Sequence, residues 1–212
     1  MKIDVLVFSP FQENTYIIHD ESGSCVVIDP GMLDKSEKDI FDNYIKRHNL
    51  KIEKVINTHC HLDHIFGAKY VTENYGVPFY CHADDVFLIN QAKSHAQMYG
   101  LPFNDEPVAV SDYLKGGDII KFGHSELQVR HVPGHSPGGV VFYSVDDTFV
   151  VVGDVLFKRS VGRSDLPGGN HEQLIEAIFQ NLMTLPDDCV VFSGHGGSTT
   201  IGDERLNNEF LS

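Results

Sequence analysis

The stretch Asn57–Gly67, NTHCHLDHIFG, places three histidines and an aspartate within six consecutive positions, His59 to His64. Imidazole is the commonest side-chain ligand for metals, and it titrates near neutral pH. The preceding run, Lys54–Ile56, reads as a strand running into Thr58. Side chains two apart on an extended segment point the same way, so His59 and His61 project to one side. Past Leu62 the chain turns toward a helix beginning near Ile65. Asp63 and His64 sit at that turn, within reach of a second position a few ångström away. One short loop thus offers four ligands to two neighbouring ions. Two-metal hydrolytic sites hold their ions roughly 3.5–4 Å apart.

A pair of ions needs more ligands than one loop supplies. Three further candidates each lie beside glycine at the end of an apolar run. They are His135 in VPGHSPGG after Leu127–Val132, Asp154 in VVGDVLF after Phe149–Val152, and His195 in VVFSGHGG after Cys189–Phe192. Strand ends followed by glycine can hold a side chain rigidly while the backbone turns sharply.

Other short β-branched runs, Ile3–Phe8, Thr15–Ile18, Cys25–Ile28 and Val140–Tyr143, also end at Gly, Pro, Asn, Asp or Ser. Between them lie helical patterns. Ser36–Asp39 resembles a capping box ahead of Ile40, Phe41, Tyr44 and Ile45, and Asn170–Gln173 opens a segment expected to carry Leu174, Ile175, Ile178, Phe179 and Leu182 on one face. Ile65–Tyr75 and Ala83–Gln91 are expected to be helices, and 92–112 a loop with a helical turn. No linker or fixed-period repeat divides the 212 residues, so one α/β or α+β domain over 1–212 is expected.

The net charge of −14, without a basic patch, argues against nucleic acid as partner. No segment approaches membrane-span length, and the N-terminal stretch lacks the apolar run of a secretory signal. Four cysteines, Cys25, Cys60, Cys81 and Cys189, lie far apart with no Cys-x-x-Cys pair. Reduced thiols in a cytoplasmic setting are the expectation.

The run Thr58–His64, which is T-H-x-H-x-D-H, followed in order by His135, Asp154 and His195, resembles the metallo-β-lactamase-fold hydrolases. The early VVIDPG at Val26–Gly31 and the closing SGHGGSTTIGDERLNNEFL are similar to further landmarks of that family, so the resemblance covers nearly the whole chain. It implies a four-layer αβ/βα sandwich with metals in a cleft at one edge of two sheets. It assigns His59, His61 and His135 to a first metal, Asp63, His64 and His195 to a second, and Asp154 to both. It also suggests that Asp29 orients a ligand histidine and that His131 supports the site from behind.

Two divalent ions, zinc in the first instance with iron or manganese as alternatives, would activate a bridging water for attack on a carbonyl. Asp63 would also orient that nucleophile. The segment Gly153–Asn170 is similar to one in compact glyoxalase II-type enzymes, which implies hydrolysis of a small acyl-thiol ester. In that comparison Arg163 is the substrate-binding candidate, able either to grip a carboxylate or to pair internally with Asp165 or another acid. With 17 residues after His195, no counterpart of the C-terminal helical substrate domain of larger glyoxalase II enzymes is expected. A persulfide dioxygenase using one iron on His59, His135 and Asp154 is the principal alternative. A β-lactamase or lactonase and a tRNA-processing nuclease are weaker ones.

Overall fold

The computed structural model describes residues 1–211. Two six-stranded sheets face each other. The first runs β1 (Lys2–Phe8), β2 (Glu13–His19), β3 (Ser24–Ile28), β4 (Lys51–Ile56), β5 (Phe79–His82) and β6 (Asp112–Leu114) in spatial order. Its first three strands are antiparallel and the rest parallel. The second contains β7 (Ile119–Phe122), β8 (Ser125–His131), β9 (Val140–Ser144) and β10 (Phe149–Gly153). A small ribbon of β11 (Leu156–Phe157) and β12 (Ser160–Val161) follows, and the sheet is completed by β13 (Val190–Ser193) and β14 (Thr199–Thr200).

The period-two alternation of the strands divides the interior. Val26 and Ile28 of β3 join Phe149 and Val151 of β10 in a core between the sheets. Their neighbours Cys25 and Val27, and Val150 and Val152, point outward into two separate cores. Helices cover those outer faces. Over the first sheet lie α1 (Lys35–Arg47), the short α2 (Leu62–Ile65), α3 (Ala68–Tyr75) and α4 (Val86–Met98). Over the second lie α5 (His171–Asn181) and α6 (Ile201–Asn207). The order is helix, sheet, sheet, helix, as the family resemblance implies.

Several elements differ from expectation. The cap of α1 is Asp34, not Ser36: its side chain accepts from Glu37 N, and the Glu37 carboxylate accepts from Leu33 N (2.7 Å) and Ser9 N (2.6 Å). The expected helix Ile65–Tyr75 is broken at Gly67, whose N–H donates to Pro30 O (2.7 Å). A Cβ there would press on Met32 and Pro30, so the chain passes too close for a side chain. Helix α4 continues to Met98 because Leu88, Ala92 and Ala96, spaced by four, keep a buried face. Asn170 caps α5 by accepting from Gln173 N (3.0 Å), as its sequence suggests.

Strands β8, β10 and β13 run in one direction, since β9 is antiparallel to both β8 and β10 while β13 is parallel to β10. Their C-terminal ends therefore share one edge. The end of β4 meets that edge from the other sheet, where Val140 N donates to Thr58 O (2.8 Å). The loops carrying His59–His64, His135, Asp154 and His195 are thus brought to one place by strand direction together with this contact between the sheets.

Candidate metal centre

All seven residues singled out in the sequence converge at this edge. His59 Nε2 lies 3.2 Å from His135 Nε2, and His61 Nδ1 lies 2.8 Å from the same atom. Three imidazole nitrogens thus face one point. Donors about 2.05 Å from a tetrahedral ion stand about 3.3 Å apart, close to this spacing. A second group of donors forms from Asp63, His64 and His195, all within 4.8 Å of one another. Asp63 Oδ2 is 3.2 Å from His195 Nε2 and 3.8 Å from His64 Nε2.

Asp154 stands between the groups. Its Oδ2 is 3.7 Å from His135 Nε2 and 3.5 Å from His195 Nε2, while Oδ1 is 3.5 Å from His64 Nε2. Gly194 makes this approach possible: a Cβ there would run into Asp154 Oδ1 and the His64 ring.

Four of the five histidines have their other ring nitrogen held from behind. His59 Nδ1 meets Thr58 Oγ1 (3.0 Å), His64 Nδ1 meets Asp29 Oδ2 (3.0 Å), His135 Nδ1 meets Arg163 O (2.7 Å), and His195 Nδ1 meets Phe11 O (3.1 Å). Each of these contacts turns Nε2 inward, the arrangement typical of metal-bound imidazoles. Asp29 sits at φ 51°, a left-handed conformation that aspartate tolerates better than most residues. It also accepts from Thr58 N (2.7 Å) and Thr58 Oγ1. With its carboxylate so engaged, Asp29 orients His64, although it lies close enough to His59 and His64 to complete another three-donor group.

The donor set fits divalent metal ions. His64 Nε2 and Asp154 Oδ1 are buried, face the middle of the site, and have no hydrogen-bond partner among the described residues. Buried polar atoms are rarely left so. In the first group, burial above all holds the His59 and His135 pKa values below the imidazole range and brings His61 down to about 3. These rings are neutral, as ligation requires. In the second group burial also opposes charge, but the carboxylates outweigh it. Asp63 and Asp154 lift His64 well above its ordinary value, and hydrogen bonds to Asp154 and Asp63 push His195 up to about 10. A cavity that draws protons onto two imidazoles stabilises positive charge, and the same carboxylates favour a dication.

The remaining candidates are placed differently. His131 makes no hydrogen bond or ring contact with any of the seven: its Nε2 meets Pro137 O (3.0 Å), two residues beyond His135, and its ring stacks on His82 with centroids 4.3 Å apart. It braces the His135 loop rather than a ligand ring. His82, Asp84 and His131 also lie close together, but the stacked rings are nearly parallel and send their in-plane lone pairs alongside each other, not to a common point. The Arg163 side chain lines the cleft, and Asp165 engages it bidentately at 2.7 and 2.8 Å. The internal pairing is therefore the one the structure shows. Cys60 is buried among apolar side chains of the first core, and all four cysteines are free and buried.

Three supporting residues escape a reading of the sequence. Asp85, fully buried, accepts from Cys60 N (3.0 Å), Ser136 Oγ (2.9 Å) and Gly138 N (2.6 Å), so one carboxylate joins the His59–His64 loop to the His135 loop. Asn57 Nδ2 donates to His59 O (3.1 Å) and His64 O (2.8 Å), closing the first loop on itself. Glu13, also buried, accepts from Thr15 Oγ1 (2.9 Å), and burial raises its pKa well above the carboxylate range. Asp85 stands just ahead of a helix, as a capping acid would, but its side chain makes no cap hydrogen bond, so that pattern does not give its role, and nothing local marks Glu13.

The site opens into a cleft of about 340 Å³. His61, Asp63, His135, Asp154 and His195 form its floor, and Phe11, Leu88, Met98, Tyr99, Leu166 and Pro167 contribute to its walls.

Comparison with known proteins agrees with this architecture. The family model of the metallo-beta-lactamase superfamily matches residues 8–195. The hydroxyacylglutathione hydrolase GloC of Haemophilus influenzae is 33% identical over 213 aligned residues, covering 100% of this chain and 99% of that protein. The crystal structure of TTHA1623 in a di-iron-bound form is 36% identical, with a TM-score of 0.86 over 98% of this chain and 100% of that one. The BLEG-1 B3 metallo-beta-lactamase superposes with the same TM-score of 0.86 at 31% identity, covering both chains completely.

Proposed function

Since the chain belongs to the metallo-beta-lactamase superfamily, we propose that it is a binuclear metallohydrolase that cleaves small acyl-thiol esters in the manner of glyoxalase II. The observation that carries this reading is the junction of two three-donor groups by Asp154 at the floor of an open cleft. His59, His61 and His135 would hold one ion, Asp63, His64 and His195 the other, and Asp154 both. When bound, such ions supply a hydroxide at neutral pH and polarise a carbonyl oxygen. The name of the Haemophilus influenzae relative supports thioester hydrolysis, and the di-iron form of TTHA1623 supports two ions and makes iron a candidate beside zinc.

The protein's own part is positional. Thr58, Asp29, and the carbonyls of Arg163 and Phe11 fix four imidazoles before any ion or substrate arrives, so little reorganisation remains at the moment of reaction. Asp63 lines the cleft and would help orient the attacking water. Leu62, Leu88 and Leu166 reduce water access beside it. No side-chain nucleophile is required.

A mononuclear iron dioxygenase would use His59, His135 and Asp154 and leave Asp63, His64 and His195 without an ion. The convergence of those three argues for the two-ion reading. The deciding experiment counts metal equivalents in purified protein. It then compares release of free thiol from S-lactoylglutathione and from a simple acyl thioester with oxygen uptake on glutathione persulfide. Two equivalents with thiol release are expected. One iron with oxygen uptake would replace this reading by the oxygenase, and nitrocefin turnover without thiol release would replace it by a β-lactamase.

A further inference from the structure

Above the floor, the cleft wall carries one cationic side chain from Lys or Arg, that of Arg163. Asp165 already holds it, with Arg163 Nε on Oδ1 at 2.7 Å and Nη2 on Oδ2 at 2.8 Å. That contact takes the side-on edge of the guanidinium and offsets its charge, so a substrate carboxylate would meet only the end-on Nη1–Nη2 edge of a cation that already has an anionic partner. Apart from His95, the rest of the wall is mostly apolar, and part of it is prominent. Met98 is 81% exposed, Tyr99 60% and Phe11 37%. Phe11 and Tyr99 meet edge to face at 5.8 Å, and Phe11 packs on the buried Phe66 behind it. Large apolar side chains gathered at the mouth of a concave site, while most others are buried, are a recognition surface.

Resting on the thioesterase reading, we propose that the substrate is a thioester whose thiol half is uncharged and apolar, and that Asp165 sets this preference by occupying Arg163. A neutral alkyl or aryl group gains contact with Phe11, Tyr99 and Met98 on leaving water. An anionic thiol such as glutathione brings carboxylates to a mostly apolar wall whose Arg163 is already paired with Asp165, so they lose hydration and gain only a cation shared with another carboxylate. The backbone of Arg163 has a separate task, since its carbonyl holds His135 Nδ1 at 2.7 Å. The side chain can therefore be changed without removing that contact.

The test measures binding apart from turnover. Two non-hydrolysable thioethers sharing one S-substituent, S-benzyl-N-acetylcysteamine (neutral) and S-benzylglutathione (anionic), are titrated calorimetrically into the metal-loaded protein. The wild type should bind the neutral compound at least ten-fold more tightly. In D165N, Arg163 is released, S-benzylglutathione should bind at least five-fold more tightly than to wild type, and the double variant D165N/R163M should lose that gain. Y99A should weaken the neutral compound three-fold or more. Equal or tighter binding of S-benzylglutathione by wild type, no binding of either compound, or a D165N ratio unchanged from wild type would each overturn the proposal. Turnover of the matching S-phenylacetyl thioesters separates the two readings. Hydrolysis that favours the glutathione ester keeps the thioesterase and discards this preference. The predicted binding with no hydrolysis of either ester keeps the apolar pocket and discards the thioesterase.

Discussion

His195 is, with His61, one of the two histidines of the centre that are only partly buried, and 28% of its side chain is exposed. Its Nε2 lies 3.2 Å from Asp63 Oδ2 and 3.5 Å from Asp154 Oδ2, while Phe11 O fixes the opposite nitrogen. Removing the ring leaves the second donor group with His64 and two carboxylates but leaves the first group intact. His195→Ala should therefore lower the metal content from two equivalents to one and reduce thioester turnover on the order of 100-fold or more. Metal analysis by mass spectrometry beside a thiol-release assay checks both halves, and an unchanged metal count would show that the second ion is not held here. The seven ligand candidates were legible because their chemistry is local: an H-x-H-x-D-H run and three Gly-flanked strand ends are visible without knowing what they approach. The pairing of Arg163 with Asp165 was equally local, two positions apart. Glu13 and Asp85 were not, because a lone carboxylate acquires meaning only from donors that distant chain segments bring to it.

Elements are joined at this centre by a few buried carboxylates, and these define what strand order alone leaves loose. Asp85 at the start of α4 accepts from both ligand loops. Its three donors partly offset a burial that raises its pKa. Asp85→Asn keeps the shape but turns one oxygen into an N–H donor facing other donors. It should cost about 1–3 kcal/mol in urea unfolding at pH 7 and weaken metal binding at the His59, His61 and His135 group more than at the other. Far from the centre, Asp20 makes a comparable link. Sitting in the turn between β2 and β3, it accepts from Ser22 N (2.9 Å) and from His124 N (2.6 Å) in the turn between β7 and β8, so it ties one sheet to the other. Burial opposes its charge, but the Ser22 hydroxyl and these backbone donors bring its pKa down to about 2. Because the folded value lies below the unfolded one, the stability it contributes is present above about pH 4 and is lost as pH falls toward 2. Asp20→Asn should therefore cost about 1–2 kcal/mol at pH 7, with a gap that narrows by pH 3. A gap constant across that range would mean the carboxylate charge is not what matters. Strands and helices with clear periodicity were readable in advance. The exceptions trace to tertiary contacts: Gly67 breaks a periodic segment because Pro30 and Met32 lie against it, and the short β6 and β14 exist through their partners.

Across the whole molecule, two sheets with their own helical layers share one central core, and the metal centre lies where loops from both meet. The seven ligand candidates come from β4, β8, β10 and β13 ends, spanning positions 59 to 195. An ion bound there contacts groups that unfolding would scatter, so its binding free energy becomes stability of the fold. Without ions, buried atoms such as His64 Nε2 and Asp154 Oδ1 lack partners among the described residues, and two carboxylates with five imidazoles crowd one site in a protein of net charge −14. Metal at about a thousand times its dissociation constant adds about 4 kcal/mol. For a chain of this size each kcal/mol moves the midpoint by about 2–4 °C. Chelation should accordingly lower the melting temperature by roughly 8–16 °C, and one-ion His195→Ala should fall between the loaded and stripped wild type. Melting curves recorded with and without chelator, followed by re-addition of zinc or iron(II), measure this. Coincident curves would mean that the converging side chains do not hold an ion strongly enough to bind the two sheets together.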